Sequence, residues 1–294
     1  MCWRCTTRSP GASDVSVVIP TRGDSPDLRK AIASVVAQEP GETIVVENGA
    51  TTLSHDGLGE VRLVQRPEAN RSLARNAGVE AARLPFVAFL DDDDLALPER
   101  LVRQRDAIGE DAVLTFGRVR VVDDDGRPLD DWNSLLDRRF ARLERRGVSY
   151  EEILAAPAPI YTSASMVRRD AFLAAGGYDA QFDAYEDLDL YLRLAQVGAV
   201  VLTPGDPVAV YRLHGQNTPS PRLYEGALGV TEKHLQNAAG RAHRLLLERR
   251  LDALWGLGRY GDARRAALRA ALEQPLLLAH PRFAKRLAGS FVRR

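Results

Sequence analysis

The chain has 294 residues, 45% of them hydrophobic and 27% charged, with 40 basic residues balanced by 40 acidic ones. That composition is ordinary for a soluble globular protein. It is long enough for one large α/β domain, or for a domain with a helical extension. The balanced charge argues for no particular electrostatic partner, and no apolar run is long enough to predict a membrane span.

A Pro- and Gly-bearing leader, 1–13, opens the chain and has no apolar stretch of the kind a secretory signal needs. It carries the only two cysteines, Cys2 and Cys5. A redox pair would sit at a helix start after a strand, and zinc would require two further ligands. The pair is therefore read as reduced thiols in a flexible leader, and the absence of a disulfide framework fits the cytoplasm.

Residues 15–20, Val-Ser-Val-Val-Ile-Pro, form the first strand-like run, short and β-branched as a strand buried on both faces should be. A helix is predicted over 26–38, with Pro26 near its start and Leu28, Ile32, Val35 and Val36 on one face. Strands follow at 43–47 and 61–65, a helix at 72–83, and a fourth strand at 86–90 that runs into four aspartates, 91–94. Strands alternating with helices predict βαβ units and a mainly parallel sheet. Further strands are predicted at 112–116, 119–122, 160–167, 199–202 and 207–213, with an Asp-Asp-Asp-Gly turn at 123–126. Helices are predicted at 169–175 and 186–196, and 130–153 reads as helical or irregular. Beyond Pro219 and Pro221 the pattern is helical throughout. One stretch there, 258–267, resembles a single helix-turn of a tetratricopeptide unit, which cannot form a solenoid alone.

Four features carry chemistry. Four adjacent carboxylates at a strand's carboxyl end repel one another, by about 4 kcal/mol per pair at 4 Å and an effective dielectric of 20. A hard divalent cation relieves that repulsion while leaving coordination positions for phosphate. An isolated run of this kind is more often a solvated turn. Here the preceding strand and Pro98 shift the balance toward a site. Arg75, within Ala-Arg-Asn-Ala-Gly, suits a base carbonyl or a diphosphate, although an exposed helical arginine is the default, and Asn76 in mid-helix is better explained by a structural hydrogen bond. Glu186, Asp187 and Asp189 open an amphipathic helix, where the dipole alone favours acids and where one carboxylate can act as a general base. His214, after Tyr-Arg-Leu, is a metal ligand only if it lies near the aspartates.

The ordered set Val-Val-Ile-Pro-Thr, Val-Val-Glu-Asn-Gly, Ala-Arg-Asn-Ala-Gly, Phe-Leu-Asp-Asp-Asp-Asp, Gly-Gly-Tyr-Asp, Glu-Asp-x-Asp-Leu and Tyr-Arg-x-His resembles the family 2 glycosyltransferases, over residues 15–214. Each motif is weak alone, and their joint order is specific. The resemblance implies a GT-A fold, Rossmann-like with a mainly parallel sheet, that takes a nucleoside-diphosphate sugar donor and Mg²⁺ or Mn²⁺. It implies inversion at the anomeric carbon, an unidentified acceptor and a place in polysaccharide biosynthesis. It assigns Pro20, Thr21, Glu47 and Arg75 to the nucleoside, Asp91 to the ribose with Asp92 beside it, Asp93 and His214 to the metal, and Asp187 to the catalytic base with Glu186 as rival. The family usually carries Asp-Asp where this chain has Glu47-Asn48, which weakens any inference of uracil preference. A common glycine before Ala-Arg-Asn is replaced by Asn70 or Ser72.

The expected domains are the leader 1–13, a catalytic domain 14–218 and a basic helical extension 219–294 that donor chemistry does not need. From Arg241 onward 13 Lys or Arg face four acids. A solvated face on the extension's own domain is the ordinary reading of such a tail. Contact with an anionic membrane surface is the alternative, and nucleic acid is disfavoured for want of aromatic platforms. Two other readings compete with a transferase. A nucleotidyltransferase would share the aspartates but need a richer glycine loop than Thr-Arg-Gly-Asp, 21–24. A non-catalytic binding or scaffold relative would have no reason to keep Asp91, Asp93, Asp187 and His214.

Overall fold

The computed structural model describes residues 12–49, 53, 58–155, 160–214, 220–275 and 281–292, so the leader cysteines lie outside the described residues. In chain order the elements are β1 (Val15–Thr21), α1 (Pro26–Val36), β2 (Glu42–Asn48), β3 (Arg62–Arg66), α2 (Arg71–Ala81), β4 (Phe86–Phe89), β5 (Leu95–Ala96), α3 (Arg100–Ile108), β6 (Ala112–Phe116), β7 (Val119–Val122), α4 (Asp130–Arg146), α5 (Tyr150–Ala155), β8 (Ser165–Arg168), α6 (Arg169–Ala174), α7 (Glu186–Val197), β9 (Ala199–Leu202), β10 (Ala209–Arg212), α8 (Pro221–Leu235), α9 (Gly240–Gly256), α10 (Tyr260–Glu273) and α11 (Pro281–Val292). Local chemistry sets several boundaries. The Ser25 hydroxyl accepts from the Leu28 amide at 3.0 Å to cap α1, and Asn70 does the same for α2 through Leu73 at 3.1 Å. Gly147, at φ +73°, separates α4 from α5 inside the stretch expected to be helical or irregular.

The chain divides into two compact units. The first comprises residues 1–148, 159–178 and 193–214. Its seven-stranded sheet has the order β3-β2-β1-β4-β8-β6-β9, and β8, antiparallel to both its neighbours, is the one strand reversed. Every residue of β1 is buried, as its nearly all-apolar run requires, and the buried Ser16 hydroxyl is satisfied by donating to Glu42 at 2.7 Å. Gly78 lets α2 lie against the sheet: a Cβ there would fall 2.3 Å from Val18 Cγ1. A second sheet, β5-β10-β7, stands apart from the first. The predicted strand at 160–167 is shortened because Thr162–Ala164 forms a 3-10 turn, whose Ala164 carbonyl accepts from the Gln104 side chain at 2.8 Å and the Gly117 amide at 2.9 Å.

The second unit comprises residues 149–158, 179–192 and 215–294, and so takes in two segments from within the expected catalytic domain, one of them the start of α7. Its core gathers Leu228, Leu247, Leu251, Leu254, Ala263, Ala267, Ala270 and Phe283. Ala263, Ala267 and Ala270 fall at helical spacing and form the close-packing face of α10. Part of the basic surplus is answered within the unit. Arg241 pairs with Glu152 at 3.1 Å, Arg250 with Glu232 at 3.1 Å, Arg259 with Asp262 at 2.7 Å and Arg269 with Glu273 at 2.9 Å, while Arg265 also pairs with Asp262.

Candidate active site

The first unit's sheet places its polar side chains by topology. From β1 the chain steps outward to β2 and β3, then returns to the other side of β1 with β4. In open α/β sheets ligands bind at such a switch point, beyond the carboxyl ends of the strands. The pairing of β1 with β4 reaches Val18↔Phe89, followed by a bond from the Leu90 amide to the Val18 carbonyl at 3.1 Å. Beyond it the ladder gives way to side chains: the Thr21 hydroxyl donates to Asp92 Oδ2 at 2.5 Å. Pro20 is buried in β1 opposite Val46, at the level where Glu47 leaves β2.

The four aspartates have separate surroundings. Asp91 accepts from the Arg75 guanidinium at 2.7 Å, and its amide donates to the Ser163 hydroxyl at 3.0 Å. Arg75 is buried and lies over the Tyr178 ring, 5.3 Å from its centroid. Asp93 Oδ2 lies 2.7 Å from His214 Nε2, and His214 Nδ1 lies 2.5 Å from Asp124. Asp94 is buried and accepts from the Arg212 amide at 2.8 Å. Beneath them the fully buried Arg100 donates to the Phe89 carbonyl at 2.6 Å and the Ser165 carbonyl at 3.3 Å, tying β4 to β8.

Crowding shows in the protonation equilibria. Burial, reinforced by Asp93 and Asp91, raises the Asp92 carboxyl to about 6 against the opposing Thr21 hydrogen bond. Burial and Asp91 raise Asp93, and burial lifts Asp94 well above the carboxylate range. Burial also lowers Arg100 to about 10. His214 is lowered by burial, but its bonds to Asp93 and Asp124 outweigh that and raise it overall. Burial and the neighbouring carboxylates together therefore disfavour the ionised forms of Asp92, Asp93 and Asp94.

Glu47 is 1% exposed. Its Oε2 accepts from Gln65 Nε2 at 3.3 Å, while Oε1 is buried with no partner among the described residues. A buried carboxylate oxygen left unsatisfied is costly, and an N–H donor from a bound group would relieve it. The neighbouring Asn48 has a structural role, accepting the Asn70 amide at 2.8 Å ahead of α2. Asn76 is structural as well: its side chain donates to the Tyr178 carbonyl at 2.9 Å and accepts the Tyr178 amide at 2.8 Å.

Thus Pro20, Thr21, Glu47, Arg75, Asp91, Asp92, Asp93 and His214 all belong to the first unit: at the ends of β1 and β2, within α2, just beyond β4 and just beyond β10. Glu186 and Asp187 open α7 in the second unit. Glu186 is buried and Asp187 half-buried. Asp189 is fully buried and held by Lys233 Nζ at 2.9 Å and His234 Nε2 at 3.0 Å, so it is committed to structure. Sequence reading missed Ser163, concealed in an apparent strand, and Asp124, assigned to a turn. Only the Asp-rich composition of 123–125 hinted at the second.

The glycosyl transferase family 2 profile matches residues 16–172, more than half the chain. The protein belongs to that family. It is 28% identical over 212 residues to the succinoglycan biosynthesis protein ExoU of Rhizobium meliloti, covering 64% of this chain and 58% of that one. It is 29% identical over 206 residues to the pre-mycofactocin glycosyltransferase of Mycobacterium tuberculosis, covering 65% and 41%. The chain therefore spans about half the length of these relatives. The fold is that of S. aureus TarS residues 1–349, with a TM-score of 0.59 at 14% identity over 94% of this chain and 88% of that one. The same TarS fragment in complex with UDP-GlcNAc matches with a TM-score of 0.59 at 15% identity, over 94% and 89%.

Proposed function

We propose that this protein is an inverting, metal-dependent glycosyltransferase that moves a sugar from a nucleoside-diphosphate donor to a hydroxyl group. The observation that carries the reading is the run of four aspartates at the β1/β4 switch point, with His214 Nε2 2.7 Å from Asp93 and the buried Glu47 Oε1 on the neighbouring strand without a partner among the described residues. Asp93 and His214 are the residues that would hold Mg²⁺ or Mn²⁺ there. Bound in this way the ion would neutralise the departing diphosphate.

The chain's own groups supply the rest. Glu47 Oε1 accepts an N–H of the base, Arg75 orients Asp91 toward the ribose, and Thr21 holds Asp92. Asp187 takes the proton from the acceptor hydroxyl. Its oxygen then attacks the anomeric carbon on the face opposite the diphosphate, whose bond breaks with inversion, and no covalent enzyme intermediate is required. TarS, of like fold, has been captured with UDP and with UDP-GlcNAc, which makes uridine donors the first to test. The name of ExoU directs attention to carbohydrate acceptors. The paired arginines of α9 and α10 favour a solvated face over a membrane contact, and no described helix is long and apolar enough to cross a membrane.

The test is a panel of nucleotide sugars scored for Mn²⁺-dependent protection against thermal unfolding, followed by donor hydrolysis with the best of them. One or more donors should protect only with the metal. Protection by none, or equal protection with and without metal, overturns the reading.

A further inference from the structure

One face of α8 is shaped to the segment that carries the candidate base. Residues 222, 226, 229 and 233 recur at helical spacing and form a single stripe. Arg222 donates to the Asp183 carbonyl at 2.6 Å. At Gly226 the backbones approach so closely that an added Cβ would lie 2.5 Å from the Ala184 carbonyl oxygen, and at Gly229 it would lie 3.0 Å from the Phe182 ring. Lys233 lies over that ring, 5.3 Å from its centroid, and reaches both ends of the segment: Asp179 at 2.9 Å and Asp189 at 2.9 Å. His234, next on the helix, donates from Nε2 to the same fully buried Asp189 carboxylate at 3.0 Å, since a carboxylate only accepts. That tautomer leaves Nδ1 to accept the Tyr150 hydroxyl at 3.1 Å. Between the two anchored ends, Tyr185 sits at φ +63°, a conformation a bulky residue holds only when its surroundings enforce it.

We infer that Lys233, His234 and Gly226 are positioning residues for the reaction: α8 grips Asp189 and the 182–184 backbone, and so sets the direction of Asp187. Two residues along a helix differ by about 200° of rotation, so clamping Asp189 inward turns Asp187 to the opposite side of α7. Residues beyond 219 are then part of the catalytic apparatus, not an appendage to it. The inference rests on Asp187 as the base.

The experiment uses full-length protein and the nucleotide sugar selected by the Mn²⁺ panel, with water in place of the acceptor. Lys233→Met and Gly226→Ala should each lower kcat for hydrolysis about 10- to 100-fold, while the donor Kd, set in the other unit, stays within about twofold. Lys233→Arg should restore most of the loss, which a mere loss of stability would not predict. Arg269→Ala, on an exposed helix face, should behave as the parent. Hydrogen exchange should show faster opening at 186–192 in Lys233→Met, and it keeps the test valid if Gly226→Ala fails to fold. Asp187→Asn inactive with Lys233→Met at the parental rate overturns the inference alone. Asp187→Asn at the parental rate removes the base assignment and the inference with it.

Discussion

Two acidic runs in this protein meet opposite fates. Glu186, Asp187 and Asp189 begin a helix, and the deepest of them, Asp189, is answered by Lys233 and His234. The run at 91–94 lies at a strand end, with Arg75 on the Asp91 carboxylate, His214 on that of Asp93, the Arg212 guanidinium on the Asp93 carbonyl rather than on its carboxylate, and Arg100 close enough to Asp94 to feel its charge. The difference lies in counter-charge supply. A buried carboxylate with a full complement of donors is finished structure, whereas carboxylates forced together without one remain in a raised-energy state that a cation or phosphate-bound metal can release.

The largest expected effect separates the two runs by function. Asp187→Asn keeps size and removes basicity, so hydrolysis or transfer should fall by about 10²–10⁴-fold while Mn²⁺-dependent donor binding is retained. If Glu186→Gln is inactive and Asp187→Asn is not, the base is misassigned by one residue. Next, Asp93→Ala should fold yet lose metal-dependent donor binding, measured by calorimetry with and without Mn²⁺. Unchanged affinity would detach the acidic cluster from the metal. Glu47→Ala should raise the donor KM about tenfold or more with a smaller change in kcat, since it removes binding shared by ground and transition states.

The smallest effects sharpen the comparison most, because one substitution changes sign between the runs. Asp189→Asn leaves Lys233 and His234 facing a neutral group and should destabilise the fold by about 3 kcal/mol. Asp92→Asn should stabilise the metal-free protein, by on the order of 1 kcal/mol at pH 7.5. The Asp92 carboxyl titrates near 6 in the fold against an ordinary 3.8. Its protonated form therefore contributes stability that is complete below pH 3.8 and lost as the pH rises through 6. The advantage of Asn should be full above pH 6 and vanish below about pH 4, and saturating Mn²⁺ with donor should erase or invert it. Thermal unfolding of parent and variant from pH 4 to 8 measures this directly.

Most of the sheet was legible because its central strands are buried on both faces and carry β-branched apolar runs, Val17–Ile19 in β1 and Ile44–Val46 in β2. The structural role of Asn76 was legible because an asparagine in mid-helix is a local misfit, whereas the burial of Arg75 against Asp91 departs from the exposed helical arginine that is the default reading. What was not legible depends on partners remote in the chain. Ser163 reaches Asp91 across 72 positions and Asp124 reaches His214 across 90. Likewise the sequence shows three acids at the start of α7 but not that Lys233, 44 positions on from Asp189, already holds one of them. The second unit adds 149–158 and 179–192 to the helical run that begins near the expected division at 218, because composition marks where the chain becomes helical and not which earlier segments those helices enclose.

The reversed strand β8 has a consequence for how the chain is assembled. β1 through β4 pair with one another inside the first ninety positions, so that half of the sheet can zip as soon as it is synthesised. β6 has no such neighbour: its partners are β8, reached through Leu114↔Val167, and β9, reached through Ala112↔Ala199. Until those arrive, β4 and β6 each present a bare edge, and closing them requires long loops whose entropy is lost before any contact forms. Ser163 enters the site with β8, so the acidic cluster is completed at this late step. Exposed edges in the meantime are the place where the nascent protein is open to aggregation and most in need of a chaperone.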